Sequence, residues 1–322
     1  MKSSYLILAA IAMSNSVAAD SEEGRFSEQG WGGELSFLAG YGSSKSNLST
    51  ESDEKISDLN SAGKSESSFM AAPFGQVRYN FDQQQVFFGM SRDDIVEGVF
   101  ALELGYAFAL GSDSSLSFSY LPTVANGEVW ADPYVLNTAR EKTDVSGNAY
   151  RVQYENIAGL GIDSDIAYYD KDVENELSGN KNASLNRDGS GYLVSVSTGV
   201  PLSESVFVMP SIEYHRFDAD GKAMAFDKYT LSMTALAMID DKSSLSLNGA
   251  YGRSDYDAEN SLFSQTRKDS VYDLNLAYEY IGFLGWENVG FNILAGYRNV
   301  DSNINFYDQN DYLVGTGVSY LF

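Results

Sequence analysis

Residues 31–41 read WGGELSFLAGY. Side chains of an extended chain point alternately to opposite faces, which puts Trp31, Leu35, Phe37, Ala39 and Tyr41 on one side and Gly32, Glu34, Ser36 and Gly40 on the other. One face suits hydrocarbon and the other suits water. The same period of two returns in segments 69–79, 86–90, 100–108, 116–120, 150–154, 162–168, 192–200, 206–214, 229–237, 245–251, 272–278, 289–297 and 312–322. The pattern predicts about fourteen strands, with 12 or 16 as the alternatives.

The connections alternate in length. Short turns fall near 80–84, 109–114, 158–161, 201–205, 239–242 and 281–287, and mostly longer polar segments near 42–67, 92–97, 123–148, 170–189, 218–225, 253–268 and 299–310. Alternate connections lie at opposite ends of an antiparallel sheet, so tight turns gather at one end and loops at the other. Transmembrane barrels have this asymmetry.

Alternation alone also fits a soluble sandwich. Two features favour the membrane: the polar faces carry Gly, Ser, Thr, Asn and Ala rather than a skin of Lys and Glu, and Tyr and Phe recur at strand ends, where rings sit at headgroup level. The reading is an all-β, transmembrane, antiparallel up-and-down β-barrel over 31–322.

Composition agrees. The 322 residues include 22 Tyr, 18 Phe, 29 Gly and 5 Pro, and the only long apolar run lies at the N-terminus, which excludes a helical membrane bundle. Lys plus Arg number 21 against 45 Asp plus Glu, a formal charge of −24, so a nucleic-acid partner is not expected. There is no Cys and one His, so thiolate chemistry is excluded and neither a metal nor a cofactor is expected. Lys2, the apolar stretch 5–13 and the small residues up to Ala19 read as a signal peptide over 1–19, followed by a periplasmic N-terminal segment over 20–30.

The chain ends YLVGTGVSYLF, and Tyr320 and Phe322 resemble the C-terminal signal by which bacterial outer-membrane proteins are recognised by the barrel assembly machinery. More narrowly, QVFFGMSRDDIVEGVFALELGY (85–106) and WADPYVLNTAREKTDVSGNAYR (130–151) resemble an uncharacterised outer-membrane family of marine Gram-negative bacteria. The resemblance implies a porin-type barrel in the bacterial outer membrane, in contact with lipid and lipopolysaccharide. It implies nothing about chemistry.

Fourteen strands ~4.8 Å apart and tilted ~40° enclose a backbone radius of about 14 Å, more than small inward residues fill. Parity places Glu34, Arg78, Glu103, Arg151, Glu155, Asp163, Asp165, Glu213, His215 and Asp273 along the pore, seven acids to two arginines, which predicts weak cation preference. The 123–148 loop carries Trp130, Asp132 and Tyr134 and is unusually apolar for a surface loop, so it is the expected constriction, folded into the lumen, with a cap packed over the mouth as the alternative. The function expected is passive diffusion of small hydrophilic solutes. An adhesion or receptor barrel with a closed lumen is one alternative. An outer-membrane hydrolase built on Glu213 and His215 is another, with no motif to fix its nucleophile.

Overall fold

The structure, a computed structural model, describes residues 25–26, 28–90, 100–111 and 113–322. The expected signal peptide over 1–19, the expected periplasmic segment up to 24, the 92–97 connection and the orientation of Phe100 lie outside the described residues.

The strands are β1 (Gly30–Lys45), β2 (Ser65–Phe81), β3 (Gln84–Met90), β4 (Phe100–Leu110), β5 (Ser114–Ala125), β6 (Gly127–Trp130), β7 (Lys142–Ser146), β8 (Asn148–Glu155) and β9 (Ile162–Val173). They continue with β10 (Gly189–Thr198), β11 (Val200–Ser203), β12 (Val206–Ala219), β13 (Phe226–Asp240), β14 (Ser243–Asn260), β15 (Gln265–Ile281), β16 (Val289–Ser302) and β17 (Gln309–Leu321). Adjacent strands pair antiparallel throughout, and β1 pairs with both β2 and β17, so the sheet closes. β11 continues β10 past Gly199, and the β6–β7 hairpin extends β5 and β8, which leaves a barrel of 14 strands. Closure is what permits a sheet to cross hydrocarbon, because every N–H and C=O then finds a partner within the wall.

The six short turns lie where the sequence puts them. The turn between β2 and β3, as short as that between β13 and β14, turns on Asp82 in the left-handed region (φ 52°). At the other end the strands outrun the alternation. Residues 253–268, expected as loop, are mostly ladder, with β14 reaching Asn260 and β15 starting at Gln265. The physical reason is that apolar alternation stops at the lipid boundary, whereas backbone pairing continues above it among outward residues such as Arg253 and Asp255.

Outward side chains form the belt. Trp31, Leu35, Phe37 and Tyr41 on β1 are all more than half exposed, and the other barrel strands described carry matching rows. Trp31 and Tyr79 meet at one rim (ring centroids 5.0 Å), and Tyr120–Tyr150 (5.3 Å), Tyr214–Tyr229 (5.1 Å) and Tyr251–Tyr272 (5.3 Å) at the other. Trp31 and Tyr41 are ten residues apart on β1, about 25 Å along the axis at ~3.3 Å per residue and ~40° tilt. That height matches the hydrocarbon band of a transmembrane barrel. Tyr320 and Phe322 face outward at the short-turn end with rings stacked 6.0 Å apart, and Phe322 closes against Gly33 through two backbone hydrogen bonds (2.7 and 3.1 Å).

The inner face is less uniformly polar than parity suggests. Leu38, Ala72, Phe74, Leu294 and Leu313 are buried inside the β16–β17–β1–β2 wall, with Met70, Met90 and Ala277 against them. Among the described residues, β2 pairs with β3 from Gln76 to Phe81.

Candidate channel interior

The loop end of the barrel is capped. Tyr134, on the loop between β6 and β7, lies among Phe306 and Tyr307 of the β16–β17 turn and Phe263 of the β14–β15 turn (5.4, 6.5 and 6.2 Å between centroids). The β5–β8 and β16–β17 hairpins stand on nearly opposite sides of the ring, so this loop crosses the mouth. The Tyr134 and Tyr307 hydroxyls are hydrogen-bonded to each other (2.7 Å), and the Asn260 side-chain amide donates to Tyr307 (2.8 Å). Ala223, Met224 and Leu185 fill the remaining space over Leu121, Ala149, Ala167 and Phe217 from the strand ends. Burial raises the pKa of both phenols, so both remain neutral donors and acceptors at physiological pH.

Trp130 and Asp132 hold the base of this loop rather than reaching its centre. The Trp130 indole N–H donates to the Ser49 carbonyl (3.1 Å), and the Arg140 guanidinium lies 4.1 Å from the Trp130 ring centroid. Arg140 donates to the Asn47 and Asp53 carbonyls, so the long β1–β2 loop is tied beneath it, and burial pulls its pKa down to about 10. Asp132 accepts from the Tyr134 amide (2.9 Å) and pairs with Lys181 (2.7 Å) at the end of the one-turn helix α1 (Leu177–Lys181).

Beneath the cap lies a chamber of about 390 Å³. Of the residues assigned to the pore by parity, Arg151, Asp165, Glu213, His215 and Asp273 line it. Arg151 donates through Nε to both Asp165 carboxylate oxygens (3.0 and 2.9 Å) and approaches Glu103 (3.7 Å), which accepts from the Ser119 hydroxyl (2.6 Å). Asp273 accepts from Arg298 Nε (2.7 Å). The Tyr169 hydroxyl and His215 Nε2 share a hydrogen bond of 2.7 Å, and Tyr169 fits only because its cross-strand partner is Gly191, where a Cβ would lie 2.5 Å from the ring. His215 is therefore part of an aromatic cluster, its ring 5.3 Å from Phe226.

The other assigned residues lie on the same inner face but away from the chamber. Glu155 binds Arg25 (2.7 Å) and Ser115 at the short-turn end, and Asp163 accepts from the Asn156 amide (2.7 Å) in the β8–β9 turn. Glu34 accepts from the Ser36 hydroxyl (2.7 Å), and the Arg78 side chain lies against Gly32 beside the C-terminal carboxyl end. Arg25 also reaches over the inward Phe87 ring (5.5 Å), so the chain enters the base of the lumen just before β1.

The acid excess does not hold in the chamber. Lys228, Arg267 and Arg298 join Arg151, and Asp269 joins Asp165, Glu213 and Asp273, so four cationic side chains face four carboxylates. Arg267 pairs with Asp269 (2.7 Å) and lies 3.8 Å from the Tyr307 ring centroid, tying the chamber wall to the cap. These cations escaped the sequence reading because the strands were ended too early. Lys228 precedes Tyr229, Arg298 follows Tyr297, and Arg267 sits in the supposed 253–268 loop, all at inward parity once β13, β15 and β16 are extended.

A closed fourteen-strand wall with a lipid-facing belt, a capped mouth and a polar chamber defines a transmembrane β-barrel of the bacterial outer membrane. The profile of the DUF2860 family, described as proteins of unknown function, matches residues 30–321, and the chain belongs to that family. By sequence, no curated protein matches it. Among solved structures it is similar to a deletion mutant of the TodX monoaromatic hydrocarbon channel (TM-score 0.54, 11% identity, covering 96% of this chain and 94% of that one). It is also similar to the CymD monoaromatic hydrocarbon channel (TM-score 0.50, 10% identity, 97% and 94% covered) and to a Pseudomonas aeruginosa FadL homologue (0.48, 9%, 90% and 90%). At these identities the likeness speaks for the barrel.

Proposed function

We propose that the protein is an outer-membrane channel for small hydrophilic solutes whose mouth is capped by its own loops. The observation that carries this reading is the 390 Å³ chamber inside a wide barrel, lined by charged groups of both signs and covered by the buried Tyr134–Phe306–Tyr307 cluster. Charged walls keep such a chamber wet, and opposite charges facing each other leave it little field to reject either ion. Cation preference is then slight and arises from the acidic loops outside. A chamber near the lower end of ligand-pocket sizes restricts passage to small molecules.

Reconstitution in liposomes with sugars of graded size tests the reading. Slow swelling by the wild type, and faster swelling once Tyr134→Ala and Phe306→Ala loosen the cap, are the expected results. No solute passage through either form removes the channel assignment. A second reading, passage of hydrophobic molecules, is favoured by the apolar inner patch around Leu38 and Phe74 and by the hydrocarbon channels among the structural neighbours. Faster toluene uptake than sugar uptake would select it.

A further inference from the structure

Three of the four chamber carboxylates are neutralised by a neighbouring arginine: Asp165 by Arg151, Asp269 by Arg267 and Asp273 by Arg298. The fourth cation is Lys228. Among the described residues its ammonium has no ion-pair or hydrogen-bond partner, although it points into the chamber from β13. Two residues further along the same inner face, the Thr230 hydroxyl is buried and without a hydrogen-bond partner. Buried polar groups are ordinarily satisfied, and a donor pair left open at a cavity wall is a site awaiting an acceptor.

The backbone keeps this corner open. Gly252 of β14 stands opposite Thr230, and a Cβ there would lie 3.1 Å from Lys228 Cε and 3.3 Å from Thr230 Oγ1. Lys228 and Thr230 therefore border one small space, which the missing side chain leaves clear. Ser254, opposite Lys228, supplies a further hydroxyl to the lining. Beside these donors the wall is apolar: Phe226, Tyr256, Val271 and Leu193 line the same chamber.

We propose that this corner binds the carboxylate of a small monoanion with an apolar body, Lys228 Nζ and the Thr230 hydroxyl donating to its oxygens while Phe226, Tyr256 and Val271 cover the remainder. One ammonium matches one negative charge. A dianion such as phosphate would bring a second charge near Glu213, which has interactions of its own. The proposal rests on the channel reading for its biological sense, because it names the kind of solute the chamber holds in transit.

The test uses the full mature chain refolded in detergent, with benzoate as probe and benzamide as its neutral isostere. Titration calorimetry is expected to show benzoate binding at least about tenfold more tightly than benzamide, as a charge-assisted hydrogen bond implies. Lys228→Met should abolish that difference while leaving benzamide unaffected, and Gly252→Val should weaken both by filling the corner. Equal binding of the two probes to the wild type, an unchanged preference in Lys228→Met, or tighter binding of inorganic phosphate than of benzoate would each overturn the assignment. Sugar-driven liposome swelling on the same preparation reports the channel separately. Swelling without benzoate preference defeats the carboxylate site alone, and benzoate preference without any solute passage sustains the site while defeating the channel.

Discussion

The β4–β5–β8–β9 wall and the β16–β17–β1–β2 wall, parted by β3 on one side of the ring and by β10 and β12 to β15 on the other, share one outer surface chemistry, yet their inner surfaces differ. On the first, Glu103, Arg151 and Asp165 run from strand to strand, supported by Ser119 and Gln153. On the second, Leu38, Phe74, Leu294 and Leu313 pack together. Lipid dictates the outer face of every strand in the same way, because hydrocarbon accepts only apolar side chains. The lumen sets no such uniform demand, so each wall solves its inner face locally, by ion pairing or by apolar contact. The Tyr134–Tyr307 hydrogen bond then joins them, since Tyr134 hangs from the charged side and Tyr307 from the apolar one.

The largest effect that would sharpen this contrast is at Arg151. Its removal leaves the buried Glu103 and the partly buried Asp165 without their arginine, so Arg151→Met should destabilise the barrel by about 3 kcal/mol in reversible urea unfolding, and adding Glu103→Gln and Asp165→Asn should restore most of the loss. An unaltered midpoint in Arg151→Met would mean the pairs are ornaments on a wall stabilised elsewhere. On the apolar side, Leu294 is 2% exposed, and Leu294→Ala should lose about 2–4 kcal/mol by cavity formation while leaving ion conductance unchanged. If conductance rises instead, that patch is a gate rather than packing.

The smallest effect concerns the link between the walls. Burial raises the Tyr134 and Tyr307 pKa values above the free phenol value of 10.0. A group whose folded pKa is raised contributes stability that is complete below the unfolded value and is lost as pH climbs through the folded one. The cap should thus stay shut below pH 10 and open above it, seen as a conductance rise in planar bilayers. Tyr134→Phe combined with Tyr307→Phe should remove the alkaline step and, by deleting the Tyr134–Tyr307 and Asn260–Tyr307 hydrogen bonds, weaken cap closure by about 2 kcal/mol. A step that survives in the double variant would place the titrating group elsewhere.

The two walls also differ in how legible they were. On the charged wall the alternation is clean, as in Tyr150-Arg151-Val152-Gln153-Tyr154, and parity alone puts Arg151 inside. On the apolar wall the sequence runs Phe69-Met70-Ala71-Ala72-Pro73-Phe74 without a polar residue, and Leu38, Leu294 and Leu313 each sit between outward apolar neighbours. Such continuous runs mark strands apolar on both faces. That signal was present, but an eye set for lipid-facing residues passes over it. The cap residue Tyr134 was legible as an oddity of composition, whereas its partners Phe306 and Tyr307 lie in the polar connection 299–310 with nothing to distinguish them.

The sequence by itself determined the barrel: the period of two and the alternation of short and long connections follow from local geometry and from lipid, which act on each strand independently of the others, while ring closure fixed the count at fourteen among 12, 14 and 16. Tertiary structure alone decided what the interior is. Which carboxylate meets which arginine depends on the register between neighbouring strands, as for Arg151 with Asp165 and Arg298 with Asp273. Which loop crosses the mouth depends on closure of the ring, because it brings the Tyr134 and Tyr307 hydroxyls, far apart in the chain, within 2.7 Å.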